Sequence, residues 1–146
     1  ASFHHRFAML NSCFRGLSGI EIDDIEAKRK GKSYTIDTIF TLREKYNRSS
    51  EYYLLIGADN LITIKEWKDW EKLLELVNFL VVPRQDIDLQ SVDAAVKRKV
   101  TVLETPLYPY SSSEIRNNIN DERYIKSALT ADCLEYIHKN GLYGIK

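Results

Sequence analysis

The stretch EYYLLIGADN, residues 51–60, decides the fold because an unbroken apolar run ends there at a glycine. The run, residues 52–56, consists of two tyrosines, two leucines and an isoleucine. A short continuous run of this kind is typical of a strand buried on both faces, as in a parallel sheet. Residues 57–60 would then leave the carboxyl end of that strand.

The same pattern recurs twice further along the chain. Residues 79–82 form a second continuous run, which Pro83 stops, and residues 100–103 form a third. Apolar residues at helical spacing fill the gaps, over residues 67–77 and 89–99. Buried strands that alternate with helices predict an α/β fold with a doubly wound parallel sheet. Ligands of such sheets bind beyond the carboxyl ends of the strands.

The flanking segments predict further elements. Residues 2–14 are expected to form a helix that buries Phe3, Phe7, Leu10 and Phe14, and residues 20–25 a strand with one exposed face. A helix is expected from residue 33, capped by Ser or Thr. The basic segment 28–32 is interpreted as a solvated turn. The last helix face comprises Leu129, Cys133, Tyr136 and Ile137, and Gly141 ends it.

Length and composition limit the classes of function. The 146 residues suit one domain over 1–146, and 21 basic against 21 acidic side chains give no overall field for nucleic acid or an anionic membrane. Cys13 and Cys133 are expected to be buried free thiols, without zinc-site spacing. No apolar run approaches the roughly 20 residues of a membrane span, and no signal peptide is visible, so a cytoplasmic location is expected.

The loops at the strand ends supply candidate site residues: 57–60, Pro83 to Gln85, and 105–116. Gly57 lets the backbone approach a ligand without a Cβ, and the Asp59 carboxylate suits a ribose diol. Alternatively, Asp59 or Asn60 only caps a helix. Arg84 either grips a phosphate or forms a salt bridge at the rim.

Three further groups have two interpretations each. Ser111, Ser112 and Ser113, followed by Glu114 and Arg116, suit a triphosphate at a helix start but are equally typical of a capping box. Trp67 and Trp70 fit a core, yet Trp67 could stack on a heteroaromatic ring. Ser33, Tyr34 and Thr35 open a helix whose N–H groups could bind a carboxylate.

Several motifs in one order resemble those of bacterial nicotinate-nucleotide adenylyltransferases. They are Ser33–Thr38, Leu55–Asn60, Trp67 with Trp70, Val82–Arg84, Tyr110–Arg116, Tyr136–Ile137 and Gly141–Tyr143. The resemblance covers residues 2–143. It implies a Rossmann-like nucleotidyltransferase sheet with flanking helices, and transfer of AMP from ATP to nicotinic acid mononucleotide with Mg²⁺, giving deamido-NAD and pyrophosphate.

The resemblance also implies roles for individual residues. Thr35, with nearby backbone of Ser33 and Tyr34, would meet the nicotinate carboxylate, and Trp67 would stack on the pyridine ring. Asp59 and Gly57 would lie against the mononucleotide ribose, with Arg84 near the nucleotide site. The ATP phosphates would be lined by Ser111, Ser112, Ser113 and Arg116, and Arg116 would neutralise the departing pyrophosphate.

One segment of the family pattern is missing from this sequence. Relatives begin with a strand and a Gly-Gly-x-Phe-Asp-Pro-x-His-x-Gly-His loop, and the pair His4-His5 does not replace it. We therefore expect a chain that is incomplete at its N-terminus, inactive alone, and open to self-association into a homo-oligomer. Two alternatives stay open: another adenylyltransferase of the same fold, acting on nicotinamide mononucleotide or phosphopantetheine, and a non-catalytic nucleotide-binding fragment.

Overall fold

The computed structural model describes residues 1–84, 87–107 and 109–145, with only the backbone of Ser91. Gln85 and Tyr108, which belong to two of the predicted site loops, lie outside the described residues. The chain divides into two compact units, residues 29–109 and residues 1–28 with 110–146. One domain over residues 1–146 stays a prediction.

The unit of residues 29–109 is built on a parallel sheet. Its strands are β1 (Tyr53–Gly57), β2 (Asn78–Val82) and β3 (Val100–Val102), in the order β1-β2-β3. The predicted α/β fold with a parallel sheet is confirmed. Burial on both faces is wrong for the two edge strands, since Tyr53 and Leu55 of β1 are 58% and 61% exposed and Val102 of β3 is 46% exposed. No described element of this unit covers the outer face of β1, so β1 keeps only one face in the core.

Helices flank this sheet and supply the core of the unit. They are α2 (Thr35–Lys45), α3 (Ala58–Ile62), α4 (Trp70–Leu76) and α5 (Ala94–Lys97), with 3-10 turns at Ile64–Glu66 and Leu89–Ser91. Ile36 and Leu73, from α2 and α4, are buried with Phe79 and Val81 of β2. Burial of such side chains is worth about 1.5–3 kcal/mol each and drives the layers together.

Two predicted helices are interrupted. Residues 89–99 form two short pieces because Val92 is extended and the Asp93 carboxylate accepts a 2.7 Å hydrogen bond from Ala95 N, which starts α5 afresh. Trp67 is also extended, and Asp69 adopts a left-handed φ of 51° just before α4. Trp67 therefore lies on the connection before the helix and not within it.

The other unit is helical. It contains α1 (Phe3–Cys13), α6 (Ser112–Asn117), α7 (Glu122–Ala128), α8 (Ala131–Lys139) and a 3-10 turn at Leu142–Gly144. Its core is formed by Ile119, Ile125, Cys133 and Ile137, which confirms the inner face of α8. Gly141, at a φ of 56°, ends α8 as expected.

The helix predicted at residues 2–14 is confirmed, but its buried face is wrong. Met9 and Cys13 pack against the core, and His5 Nδ1 lies 3.1 Å from the Tyr136 hydroxyl on α8. These three residues are spaced by four and form one helix face. Leu10, on the phenylalanine face, is 47% exposed.

The strand predicted at residues 20–25 is absent. Residues 20–24 have no regular structure, and a turn begins at Ile25. A strand exists only where its backbone pairs, and the described strands pair only with one another. No described helix has the length and apolar character needed to cross a membrane.

Candidate functional site

The carboxyl ends of β1 and β2 bring two predicted site residues together. Gly57 and Val82 are partners in the parallel register, so the residues that follow them leave the sheet side by side. Arg84 Nε lies 3.4 Å from Asp59 Oδ1, and each side chain is roughly half exposed. The salt bridge expected as one alternative for Arg84 is therefore observed. The exposed carboxylate oxygens of Asp59 remain accessible to a ligand.

Gly57 is needed here because the Asp59 carboxylate folds back over it. A Cβ added to Gly57 would lie 2.4 Å from Asp59 Oδ1, well inside van der Waals contact. The φ of Gly57 is −76°, which any residue adopts, so no unusual turn requires glycine. The missing Cβ of Gly57 leaves room for the Asp59 carboxylate. The sequence instead predicted that the Gly57 backbone approaches a ligand closely.

Four of the predicted substrate-binding residues line a single cavity of about 210 Å³. Its lining comprises Lys32, Ser33, Tyr34, Thr35, Glu66, Trp67 and Lys68. Two ammonium groups flank the Tyr34 ring, with Lys68 Nζ 4.9 Å and Lys32 Nζ 5.1 Å from its centroid. The cavity therefore combines aromatic faces with two ammonium groups, of which Lys68 is paired with Asp37, and with the carboxylate of Glu66.

The start of α2 forms one wall of this cavity. Tyr34 is the N-cap residue, in an extended conformation, and no described side chain caps the helix. The expectation that a serine or threonine caps α2 is wrong, because the Ser33 hydroxyl instead accepts a 2.8 Å hydrogen bond from Arg29. Asp37 N and Thr38 N donate to the Tyr34 carbonyl at 3.0 and 3.2 Å, so without a side-chain cap the N–H groups of Thr35 and Ile36 are the ones left for solvent or a ligand.

Arg29 is a residue that the sequence interpretation missed. Its Nη1 donates to Ser33 Oγ at 2.8 Å and to Thr38 Oγ1 at 2.6 Å, and its Nη2 donates to Thr41 Oγ1 at 3.0 Å. The interpretation of residues 28–32 as a solvated turn is therefore wrong for Arg29, which is half-buried. The sequence feature that could have indicated these hydrogen bonds is the pair Thr38 and Thr41, which are three residues apart on one face of α2.

In the helical unit, the serine segment forms the predicted capped helix start. Ser111 caps α6, with its Oγ accepting a 3.1 Å hydrogen bond from Glu114 N. Arg116 Nη2 donates to Ser113 Oγ at 3.2 Å, so these two predicted ATP-binding groups lie together. Ser112 and Arg116 line a separate cavity of about 430 Å³ with residues of α1 and α8.

The described residues contain no group of three or more His, Cys, Asp or Glu side chains that could hold a metal. Mg²⁺ in nucleotide-dependent enzymes is usually held by substrate phosphates and one or two carboxylates, without an all-protein cage. The donor set is therefore compatible with an ion that enters with a triphosphate.

Comparisons with known proteins agree with this arrangement. A family model described as cytidylyltransferase-like matches residues 1–118. A probable nicotinate-nucleotide adenylyltransferase from Gemmatimonas aurantiaca is 35% identical over 97% of this chain and 69% of its own length. Proteins of the same name from Fusobacterium nucleatum and Streptococcus mutans are 32% and 37% identical over 92% and 95% of this chain, and over 70% and 63% of their own lengths.

Solved structures share the fold. Nicotinic acid mononucleotide adenylyltransferase from Plasmodium falciparum, complexed with NaAD, matches with a TM-score of 0.80 at 24% identity, over 100% of this chain and 76% of that chain. The same enzyme complexed with APC gives the same score over 78% of its chain. The parallel sheet with flanking helices is thus a nucleotidyltransferase fold.

Proposed function

Since the chain belongs to the cytidylyltransferase-like family and, within it, to the nicotinate-nucleotide adenylyltransferases, we propose that it binds nicotinic acid mononucleotide and ATP and joins them to give deamido-NAD and pyrophosphate. It is a nucleotidyltransferase of NAD biosynthesis. The observation that carries the choice of substrate is the cavity of residues 32–35 and 66–68, which joins aromatic faces to an uncapped helix start.

The pyridine end of the mononucleotide fits this cavity. Trp67 and Tyr34 supply flat faces on which a heteroaromatic ring stacks. Thr35 and the first-turn N–H groups of α2 would receive the nicotinate carboxylate, with Ser33 beside them. The Lys32 ammonium adds positive charge that favours an acid over a neutral amide, whereas Lys68 is already paired with Asp37 and Glu66 also lines the cavity.

The ribose and phosphate of the mononucleotide would lie at the ends of β1 and β2. The Asp59 carboxylate, held over Gly57, has accessible oxygens for a ribose diol. Arg84 pairs with the same carboxylate oxygen that lies over Gly57 and would place a guanidinium near the nucleotide. Asp59 lies on α3, and a side chain on a helix is better fixed than one on a loop, which suits a group that orients a substrate.

ATP would bind at the start of α6. The hydroxyls of Ser112 and Ser113 and the guanidinium of Arg116 would line its phosphates, while the Ser111 hydroxyl stays engaged as the cap. When bound with ATP, Mg²⁺ would supply charge neutralisation at the phosphates. A cytoplasmic location and a homo-oligomer remain predictions from the sequence.

The reaction requires positioning and charge stabilisation from this chain. The mononucleotide phosphate attacks the α-phosphorus of ATP in line, and pyrophosphate leaves, so no side chain needs to become a covalent nucleophile. Arg116 would stabilise negative charge on the departing pyrophosphate. Asp59, Trp67 and the start of α2 would fix the attacking nucleotide.

Replacing the stacking residue tests this proposal. Trp67→Ala is expected to weaken nicotinic acid mononucleotide by roughly 5- to 150-fold, because stacking of a base on an aromatic ring is worth about 1–3 kcal/mol. Calorimetric titration of the chain and the variant measures this loss. Trp70→Phe is the matched control, since Trp70 begins α4 and does not line the cavity.

Fluorescence separates the two tryptophans. In Trp70→Phe, where Trp67 is the remaining tryptophan, the mononucleotide should quench the emission, and in Trp67→Phe it should not. Binding of nicotinamide mononucleotide or phosphopantetheine in preference to the acid would overturn the assigned substrate. A folded chain that binds no pyridine nucleotide would favour a non-catalytic module.

A further inference from the structure

We propose that Arg29 is a positioning residue for the nicotinate side of the site, an inference that rests on the proposed function. Arg29 does not line the cavity, so its effect on a ligand would pass through other groups. Its guanidinium donates to hydroxyls on both sides of the helix start, Ser33 at 2.8 Å and Thr38 at 2.6 Å. It thereby ties the loop before α2 to the body of α2.

The threonine hydroxyls extend this connection to the backbone of the first turn. Thr38 Oγ1 donates to the Tyr34 carbonyl at 3.5 Å, and Thr41 Oγ1 donates to the Asp37 carbonyl at 2.9 Å. Each threonine hydroxyl thus accepts from Arg29 and donates to a carbonyl one turn earlier. Movement of the guanidinium would disturb the residues whose N–H groups face the carboxylate.

The opposite wall of the cavity is tied to the same turn. Lys68 Nζ lies 3.0 and 3.1 Å from the two carboxylate oxygens of Asp37, and Lys68 directly follows Trp67. Arg29 and Lys68 therefore both contact the first turn of α2, Arg29 through hydroxyls and Lys68 through a carboxylate. The distance between the helix start and the stacking ring depends on both contacts.

Arginine is required for this arrangement by its shape. Three acceptors are reached from two nitrogens of one planar group, which a flexible ammonium on a lysine does not reproduce. The fixed positive charge also lies near the start of α2, where it adds to the field that the helix dipole presents to an anion. Both effects favour a bound carboxylate.

Substitution of Arg29 by glutamine tests the inference. Arg29→Gln is expected to weaken nicotinic acid mononucleotide about tenfold, the effect of losing a hydrogen-bonding charged group from the supporting layer of a site. The preference for the acid over nicotinamide mononucleotide should fall with it. Arg29→Lys should remain closer to Arg29→Gln than to the parent chain. Calorimetric titration with both mononucleotides measures these changes.

The matched control is Lys30→Gln, which removes the same charge from the next, exposed position in the loop. It should change the dissociation constant less than about twofold. Amide hydrogen exchange over residues 33–38 should quicken in Arg29→Gln, whereas exchange in β1 and β2 should not.

The outcomes separate this inference from the proposed function. If the parent chain does not bind nicotinic acid mononucleotide, the proposed function fails and the inference fails with it. If the parent chain binds and Arg29→Gln binds equally well, or loses acid and amide affinity in the same proportion, the positioning role alone is overturned.

Discussion

A single carboxylate connects several residues of the candidate site. Asp59 folds over Gly57, pairs with Arg84 at 3.4 Å and still exposes oxygen atoms. An exposed ion pair of this kind contributes little to stability, about 0–1 kcal/mol. The ion pair matters more for geometry than for stability, because it restricts the direction in which the remaining lone pairs of Asp59 point.

Gly57→Ala is predicted to damage binding more than folding. The backbone of Gly57 accepts alanine at its φ of −76°, so the free energy of unfolding should change by less than about 1 kcal/mol. The added Cβ displaces the Asp59 carboxylate, and affinity for nicotinic acid mononucleotide should fall about tenfold. Urea unfolding and calorimetric titration measure the two effects.

A double-mutant cycle with Asp59→Ala sharpens this prediction. If alanine at residue 57 acts by moving Asp59, the two losses of affinity should not add, because the second change removes a group that the first has already displaced. Additive losses would mean that Gly57 meets the ligand through its own backbone.

At the residue scale, the sequence placed several predicted site residues in loops that the structure brings together, and their roles stay predictions. The pairs that meet, Asp59 with Arg84 and Ser113 with Arg116, were both among the predicted site residues. Arg29 was not, since a guanidinium that uses neutral hydroxyls as acceptors leaves no charge pattern in the sequence. Its contacts depend on how the loop folds back onto α2, which is a tertiary effect.

Helix α1 shows why element boundaries were easier to predict than element faces. The helical period at residues 2–14 was correct, but two different faces of α1 contain apolar residues. The face that packs against α8 carries His5, Met9 and Cys13, so the spacing of the phenylalanines does not identify the buried face of α1. The strand predicted at residues 20–25 is absent for a different reason. Alternation of apolar and polar residues without a pairing partner does not make a strand.

The contact of α1 with α8 predicts unequal thiols. Burial, together with a hydrogen bond that the Cys133 thiol donates to Cys13 Sγ, raises the pKa of Cys133 to about 12. At pH 8 Cys133 is therefore almost entirely the unreactive thiol, and it is only 4% exposed. A disulfide reagent should modify Cys133→Ser, where Cys13 remains, much faster than Cys13→Ser.

Absorbance kinetics of the released thiolate give both rates under native conditions. In denaturant the two variants should react alike, which serves as the internal control. Equal rates in the native state would show that the core around α8 does not shield Cys133 as the structure describes.

Across the whole molecule, two separate cores make stability uneven. Phe79, 1% exposed, is the largest fully buried side chain of the sheet unit, so Phe79→Ala should cost about 3–5 kcal/mol in free energy of unfolding. Leu55→Ala, on the uncovered face of β1, is the control and should change it by less than about 0.5 kcal/mol. Urea unfolding followed by tryptophan emission measures both.

The Leu55→Ala variant also tests whether the outer face of β1 is covered in solution. A cost for Leu55→Ala similar to that of Phe79→Ala would mean that another surface covers β1 in solution. Light scattering at increasing protein concentration would then identify self-association as the source, in agreement with the homo-oligomer expected from the sequence.

The layout of the two units along the chain has a consequence for how the protein is made. The sheet unit uses one continuous segment, residues 29–109, whereas the helical unit combines both flanking segments. His5 and its partner Tyr136 are separated by 131 positions. As the ribosome proceeds, the sheet unit can form while α1 waits for α8 to emerge, with Met9 and Cys13 accessible. We expect this interval to be when the nascent chain most needs a chaperone.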